Sequence, residues 1–455
     1  MVPASTLQLP GAACRAGATV RGADVLIVGG GPAGSTAAIR LAQSGHRVVL
    51  LEKSHHPRFH IGESLLPANL PLLERLGVAE EVRSIGMEKW GAEFVSSSDD
   101  RRQEFEFARS WDKSLALAYQ VRRSQFDEIL IRRAAACGAE VIEGCRARDV
   151  EIDAHGRVVR VHAEHEDGRS VTFEPEQLID ASGRDTLLGQ HLGIKRRNPR
   201  HSSAALYAHF RGARRASGRR AGNISLFWFE HGWFWFIPLA DGATSVGAVV
   251  WPRYLKSRAV GVREFFLDTI GLCPPLAERL SGAQLCTEVE ATGNYSYSCE
   301  RSYGPNYLLI GDAYAFIDPV FSSGVLLAMT GGEAAAATID EARTSPGRAA
   351  RSLARYDRIA RHGPRQFSWF IYRVTNPTMR ELFLAPQNYL RMEEALLSVL
   401  AGDIYGSTPI WGSLRVFKGL YYLLSMAHLG RSIRAARRRA RELEAARPVA
   451  ARGGG

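Results

Sequence analysis

The stretch that decides the fold is Asp24–Glu52, DVLIVGGGPAGSTAAIRLAQSGHRVVLLE. Asp24–Val28 is a short apolar run. Gly29, Gly31 and Gly34 follow at once in the spacing GxGxxG. Ser35–Ser44 is Ala-rich and helical in pattern, Gly45 stops it, and His46–Leu51 is a second β-like run ending in Glu52. Strand, glycine turn, helix and strand make a βαβ unit. Such a unit at the start of a chain predicts an α/β fold with an open parallel sheet covered by helices. The glycines let backbone approach a pyrophosphate, which then lies at a helix N-terminus where free N–H groups and the dipole favour anions. Glu52, 18 residues after Gly34, can bond a ribose hydroxyl. The motif therefore predicts a dinucleotide site, and by itself does not choose between FAD and NAD.

Outward from this unit, Gln125–Cys137 reads as a helix and Ala139–Glu143 as a strand. Val150–Ile179 alternates around His155-Gly156 and Asp167-Gly168 like an antiparallel meander. Phe210–Val250 is β-rich and aromatic and predicts a second sheet. Tyr307–Ile310 returns to a strand, a helix is expected over Ser323–Glu341, and the rest reads as helical. The expected organisation is a tail over 1–23, a dinucleotide domain over 24–345 with an inserted β-sheet substrate domain (about 86–120 and 190–300), a helical region over 346–445, and a tail over 446–455.

At 455 residues, 45% hydrophobic and 23% charged, the chain is long enough for large cores, which excludes disordered and disulfide-scaffold classes. Six scattered cysteines without a CxxC pair predict free thiols in a reducing cytoplasm and no metal site. No apolar run approaches the ~20 residues that span a bilayer. The net charge of +11 concentrates in Arg211–Arg220 and Arg431–Arg447. The Arg/Ala tail has no interleaved aromatics for stacking bases, so a solvated helix or a docking site for an acidic protein is expected in preference to nucleic acid.

Two further segments separate the cofactors. Val121–Asp127 (VRRSQFD), with Arg123, opens a helix. Tyr307–Asp318 (YLLIGDAYAFID) sets Asp312 just after a strand, where a carboxylate can reach a ribityl chain or, alternatively, cap a helix. Both resemble the FAD-binding segments of flavoprotein monooxygenases, as LIDASGRDT (Leu178–Thr186) resembles their strand-end element. Over about Asp24–Asp403 the chain resembles the flavin-dependent halogenases, and especially those acting on phenols, pyrroles or carrier-tethered aromatics. The resemblance rests on HIGESLLP (His60–Pro67), GMEKWGAEF (Gly86–Phe94), WFWFIP (Trp233–Pro238), DPVFSSGV (Asp318–Val325) and VLAGDIYG (Val399–Gly406).

The resemblance implies an FADH2-dependent enzyme of secondary-metabolite biosynthesis that uses O2 and chloride or bromide to make hypohalous acid and halogenate an electron-rich aromatic. It implies Lys89 as the catalytic lysine, Trp233 and Trp235 as a wall between flavin and substrate, and backbone N–H groups of Ser323, Gly324 and Val325 as a halide site. On a strand, Trp233 and Trp235 face the same side. A desolvated lysine can hydrogen-bond hypohalous acid or form a haloamine. Glu63 reads equally as a turn cap or as a lining of the halide path. Phe321 stands where tryptophan-halogenating members carry a glutamate, which points to an activated ring instead of free tryptophan. The implied partners are a separate flavin reductase and an aromatic substrate held on an acidic carrier protein. An aromatic hydroxylase or a geranylgeranyl-reductase-like enzyme is the alternative within the superfamily.

Overall fold

The structure is a computed structural model. It describes residues 19–99, 101–199, 201–293, 296–386, 388–406 and 408–427, together with residues 430, 433, 434, 437 and 441. The expected tail over 446–455 and most of the Arg/Ala tail lie outside the described residues, as do residues 1–18.

The first sheet has seven strands and grows from the βαβ unit. Its order is Glu140–Ile142, Val48–Leu51, Thr19–Val28, Ser170–Asp180, Val158–His165 and Cys145–Ile152, with Tyr307–Leu309 pairing to the end of Ser170–Asp180. Thr19–Val28 is parallel to both neighbours. Ser170–Asp180 changes partner along its length, pairing antiparallel with Val158–His165 up to Phe173 and parallel with Tyr307–Leu309 from Leu178. The meander read from the turns is present, and its last strand feeds back into the parallel sheet. The helix Pro32–Gln43 begins three residues earlier than its pattern predicts, with Pro32 in the first turn, where no N–H is required.

The predicted tail over 1–23 is corrected at its end. Residues 19–23 belong to the first strand and pair with Val171–Pro175. Arg21 holds the edge strand through Glu140 at 2.6 Å.

The second sheet has eight strands in the order Gln284–Leu285, Ala204–Arg211, Ala243–Val250, Gly232–Pro238, Ile224–Phe229, Gly91–Ser96 and Arg102–Glu106, with Glu290–Gly293 also on Ala204–Arg211. Its two chain segments meet where Gly91–Ser96 runs parallel to Ile224–Phe229. Every residue of Ile224–Phe229, Gly232–Pro238 and Ala243–Val250 is buried, because both faces are covered. Phe227, Phe234 and Phe236 pack with Phe266 and Leu276 on one face. Trp228, Trp233 and Trp235 join the large core on the other. The C-terminal part is helical over Gly324–Thr344, Ala349–Ile371, Pro377–Leu384, Met392–Ala401 and Trp411–Ala427. Among the described residues no helix is long and apolar enough to cross a membrane.

Candidate active site

The glycine turn is shaped by contacts that only glycine permits. Gly29 has φ +108°, and a Cβ there would lie 2.2 Å from the Ala181 carbonyl. A Cβ on Gly34 would lie 1.9 Å from the Gly29 carbonyl oxygen, so helix and strand touch backbone to backbone. Gly31 differs: its φ of −75° suits any residue, and the nearest atom to an added Cβ is Arg58 Nη2 at 3.6 Å. The chain leaves room in front of Gly31 and nowhere else in the turn, which fits a cofactor pyrophosphate. Glu52 is 3% exposed; it accepts the Gly30 N–H at 2.7 Å and the Ser54 N–H at 3.0 Å.

Arg123 does not stand free as a phosphate ligand. Its guanidinium grips Asp127 in a fork at 2.7 and 2.9 Å and donates to the Ile61 carbonyl at 2.9 Å. Burial pushes the Asp127 carboxyl up, but Arg123 outweighs it and holds the group below the usual carboxylate range. Arg58, which the sequence reading missed, bridges Glu52 at 3.5 Å and Asp127 at 3.4 Å beside Gly31. Asp312 lies in a single helical turn, Gly311–Ala313, and makes no capping bond. The long helix starts only at Gly324, so the alternative N-cap reading of Asp312 fails. Burial pushes the Asp312 carboxyl up to about 6, opposed by Arg123 and Arg184. Asp312 is only half-buried, and among the described residues no side-chain hydrogen bond to its carboxyl is seen, which leaves it open to a cofactor hydroxyl.

Lys89 ends the short strand Met87–Lys89, which pairs with Ala118–Gln120. It is not a surface residue: only 1% of it is exposed. Nζ donates to Ser64 Oγ and to the Leu65 carbonyl, each at 2.9 Å, and stands 5.2 Å from the Phe107 ring centre. Desolvation alone pushes the amine down to about 7. Glu63, the residue before Ser64, is 2% exposed, and both its oxygens accept from His209 Nε2 at 3.0 and 3.1 Å. Of the two roles read for Glu63, a side-chain turn cap is not seen among the described residues; its carboxyl is instead paired with the buried His209.

Trp233 and Trp235 share a face as the alternation predicts, with ring centres 6.2 Å apart. Trp235 Nε1 donates to Ser245 Oγ at 3.1 Å. Its indole lies over Gly247 on the next strand, where an added Cβ would come within 2.2 Å of the ring. Tyr207 continues the aromatic row at 6.1 Å from Trp235, Phe59 stacks on Tyr207 at 6.2 Å, and His209 meets Phe59 at 6.1 Å. These contacts connect the two tryptophans, Glu63 and Lys89 into one region.

The predicted halide segment is held separately. Asp318 Oδ2 accepts from His201 Nε2 at 3.0 Å and Ser203 Oγ at 2.8 Å, all three buried. Ser323 stands at the N-cap of Gly324–Thr344, and the first intrahelical bond runs from the Leu327 N–H to the Ser323 carbonyl. The N–H groups before Leu327 therefore have no helical acceptor. Ser323 is 1% exposed and its Oγ is without a hydrogen-bond partner. An orphaned hydroxyl beside free N–H groups suits an anion. Phe321 is sealed between Phe370 and Phe383 at 6.1 Å from each. Five cysteines among the described residues are free, and burial raises the thiols of Cys145, Cys273 and Cys299 to about 11.

Comparison with known proteins follows the same lines. The profile of the tryptophan halogenase family matches residues 24–112 and 87–381. A pyrrole-2-carbonyl peptidyl-carrier-protein chlorinase of Pseudomonas fluorescens is 31% identical over 84% of this chain and 89% of its own. A tryptophan 2-halogenase of Chondromyces crocatus is 36% identical over 69% of this chain, which spans 60% of that longer protein. The solved structure of the myxobacterial chondrochloren halogenase, an FAD-dependent halogenase, superposes with a TM-score of 0.75 at 32% identity, covering 86% of this chain and 93% of that one. With the glycine cradle, the buried lysine and the paired indoles on one scaffold, the chain belongs to the flavin-dependent halogenases, enzymes of the tryptophan halogenase family that use FAD.

Proposed function

We propose that this halogenase acts on an electron-rich ring, phenol- or pyrrole-like, delivered as a thioester on an acidic carrier protein, and receives reduced flavin from a separate reductase. The reading is supported by the carrier-protein chlorinase relative and by Phe321, which leaves an aromatic cluster where a second acid would serve a less activated ring. The observation that carries the chemistry is Lys89, buried without a carboxylate partner and with its amine pushed down to about 7. Near neutral pH it populates both forms. The ammonium holds hypohalous acid by a hydrogen bond; the neutral amine binds the halogen as a haloamine. Either presents an electrophilic halogen to the ring, whose carbon gains the halogen and loses a proton while water leaves.

Bound as FADH2, the cofactor supplies the electrons that reduce O2 and so allow halide to become hypohalous acid. In this reading Gly29, Gly31, Gly34 and Glu52 hold its adenosine diphosphate half, Arg58 and Arg123 fix the surrounding loop, and Asp312 binds the ribityl hydroxyls. The N–H groups of Gly324 and Val325, with Ser323 Oγ, hold the halide. Trp233 and Trp235 exclude the organic substrate from the halide side, and the Glu63–His209 pair fixes the loop that grips Lys89.

The test offers one aromatic acid free and as a carrier-bound thioester, with reductase, FAD, O2 and chloride or bromide. A halogen isotope pattern on the carrier-bound product is expected. An oxygenated product, efficient turnover of free tryptophan, or equal use of the free acid would overturn the reading.

A further inference from the structure

Thirteen large hydrophobic side chains are exposed among the described residues, and seven of them fall between Tyr389 and Ile433. On the helix Trp411–Ala427, Leu414, Phe417 and Tyr421 face the body, while Val416 (40%), Leu423 (62%) and Met426 (61%) face outward. Ile433 is also exposed, and Tyr389 and Leu390 flank the stripe on the turn packed against the helix. An exposed apolar strip of this length on one helix marks an interaction surface. Its charge is one-sided: from Ile404 to Arg441 the sequence has eight Lys or Arg and no Asp or Glu. Arg415, Arg434, Arg437 and Arg441 are exposed.

The strip also lies close to the chemistry. Phe417, on its inner face, is 5.9 Å from Phe370, which is 6.1 Å from Phe321 in the turn before the halide segment. Three rings in contact, Phe417, Phe370 and Phe321, thus connect this helix to the turn before the proposed halide segment. That proximity favours a partner that delivers something over a membrane, which has nothing to deliver.

We infer that the outer face of Trp411–Ala427, together with the exposed Arg434, Arg437 and Arg441, is the docking surface for the acidic carrier protein. The inference rests on the carrier-tethered reading above. Apolar contacts from Val416, Leu423 and Met426 supply the hold, and the arginines steer an acidic domain onto it.

The experiment compares wild-type holoenzyme with Leu423→Glu/Met426→Glu and with Arg415→Glu/Arg434→Glu. Each is given the carrier-bound aryl thioester and a pantetheine thioester of the same acid. Both variants are expected to raise KM for the carrier-bound substrate about tenfold or more, the range of losing one anchor contact. Expected to stay unchanged are kcat, FAD content and turnover of the pantetheine thioester. Unchanged carrier KM in variants of an enzyme that otherwise prefers carrier-bound substrate overturns the surface and leaves tethering intact. A wild type that ignores the carrier overturns both. Loss of binding to phosphatidylglycerol vesicles with unchanged carrier KM identifies a membrane face and overturns the proposal.

Discussion

Lys89→Met removes a charge from a place that disfavours it, and the effect on stability depends on pH with a definite sign. A lysine has an ordinary value of 10.5, and desolvation pushes Lys89 down to about 7. Moving from 10.5 to about 7 corresponds to about 5 kcal/mol. Because the folded-state value is depressed, this is a cost. It is fully present below about pH 7, shrinks as the unfolded chain alone stays protonated between about 7 and 10.5, and vanishes above that. Wild type should therefore gain about 3 kcal/mol between pH 7 and 9.5 relative to Lys89→Met, at a slope of up to ~1.4 kcal/mol per pH unit. The lost hydrogen bonds to Ser64 and Leu65 shift the two curves by a constant and leave that slope intact. Urea unfolding of both proteins across this range measures it. Parallel curves would refute the desolvated amine and with it the chemistry proposed for Lys89. Where the slope is found, the same variant should lose halogenation but keep oxidising FADH2.

Gly31→Val should abolish FAD binding while the apo-protein keeps its Tm, since an added side chain meets only Arg58; Gly34→Ala, forced against the Gly29 carbonyl, should instead destabilise the fold by several kcal/mol. FAD titration beside thermal melts separates the two, and retained FAD in Gly31→Val would refute the cradle. Ser323→Ala loses no hydrogen bond within the chain, so its Tm should hold while the halide KM rises; a fall in Tm with unchanged KM would remove Ser323 from the halide site. Phe321→Glu buries a carboxylate among Phe370 and Phe383, so it should cost about 3–5 kcal/mol at neutral pH. That carboxyl would titrate above its ordinary value, so the loss should shrink as pH falls; a pH-independent loss would point to shape alone.

The glycine turn was legible because one of its contacts is local: Gly34 meets the Gly29 carbonyl, a clash written in five residues of spacing, whereas the contact of Gly29 with Ala181 comes from far along the chain. The shared face of Trp233 and Trp235 was legible because a strand alternates. What permits it was not: Gly247, twelve residues on, lies under the Trp235 ring only once the strands register. The start of the first strand was missed because Thr19–Ala23 has no apolar run; the ladder to Val171–Pro175 recruits it. Glu63 and His209 are 146 positions apart, and Asp318 and His201 are 117 apart, so no local pattern could pair them. The available signal was a histidine alternating with Tyr207 in an otherwise apolar strand.

Those two carboxylate–histidine pairs have one origin. His201 and Ser203 lie just before the strand Ala204–Arg211, and His209 lies within it. Ser203, Ala205, Tyr207 and His209 alternate onto one side, and Ala205 and Tyr207 enter the core that holds both tryptophans. At about 3.3 Å per residue, Ser203 and His209 stand roughly 20 Å apart along one rigid element. One end fixes Asp318, which heads the proposed halide segment; the other fixes Glu63, whose neighbours Ser64 and Leu65 grip Lys89. A buried hydrogen-bonded pair adds little net stability, because desolvation offsets most of the attraction, yet breaking one leaves a buried polar group without its partner. The pairs thus serve geometry more than stability. They hold the two loops at a set separation, so under the function proposed above the halide segment and the Lys89 amine would keep a constant distance while substrate comes and goes.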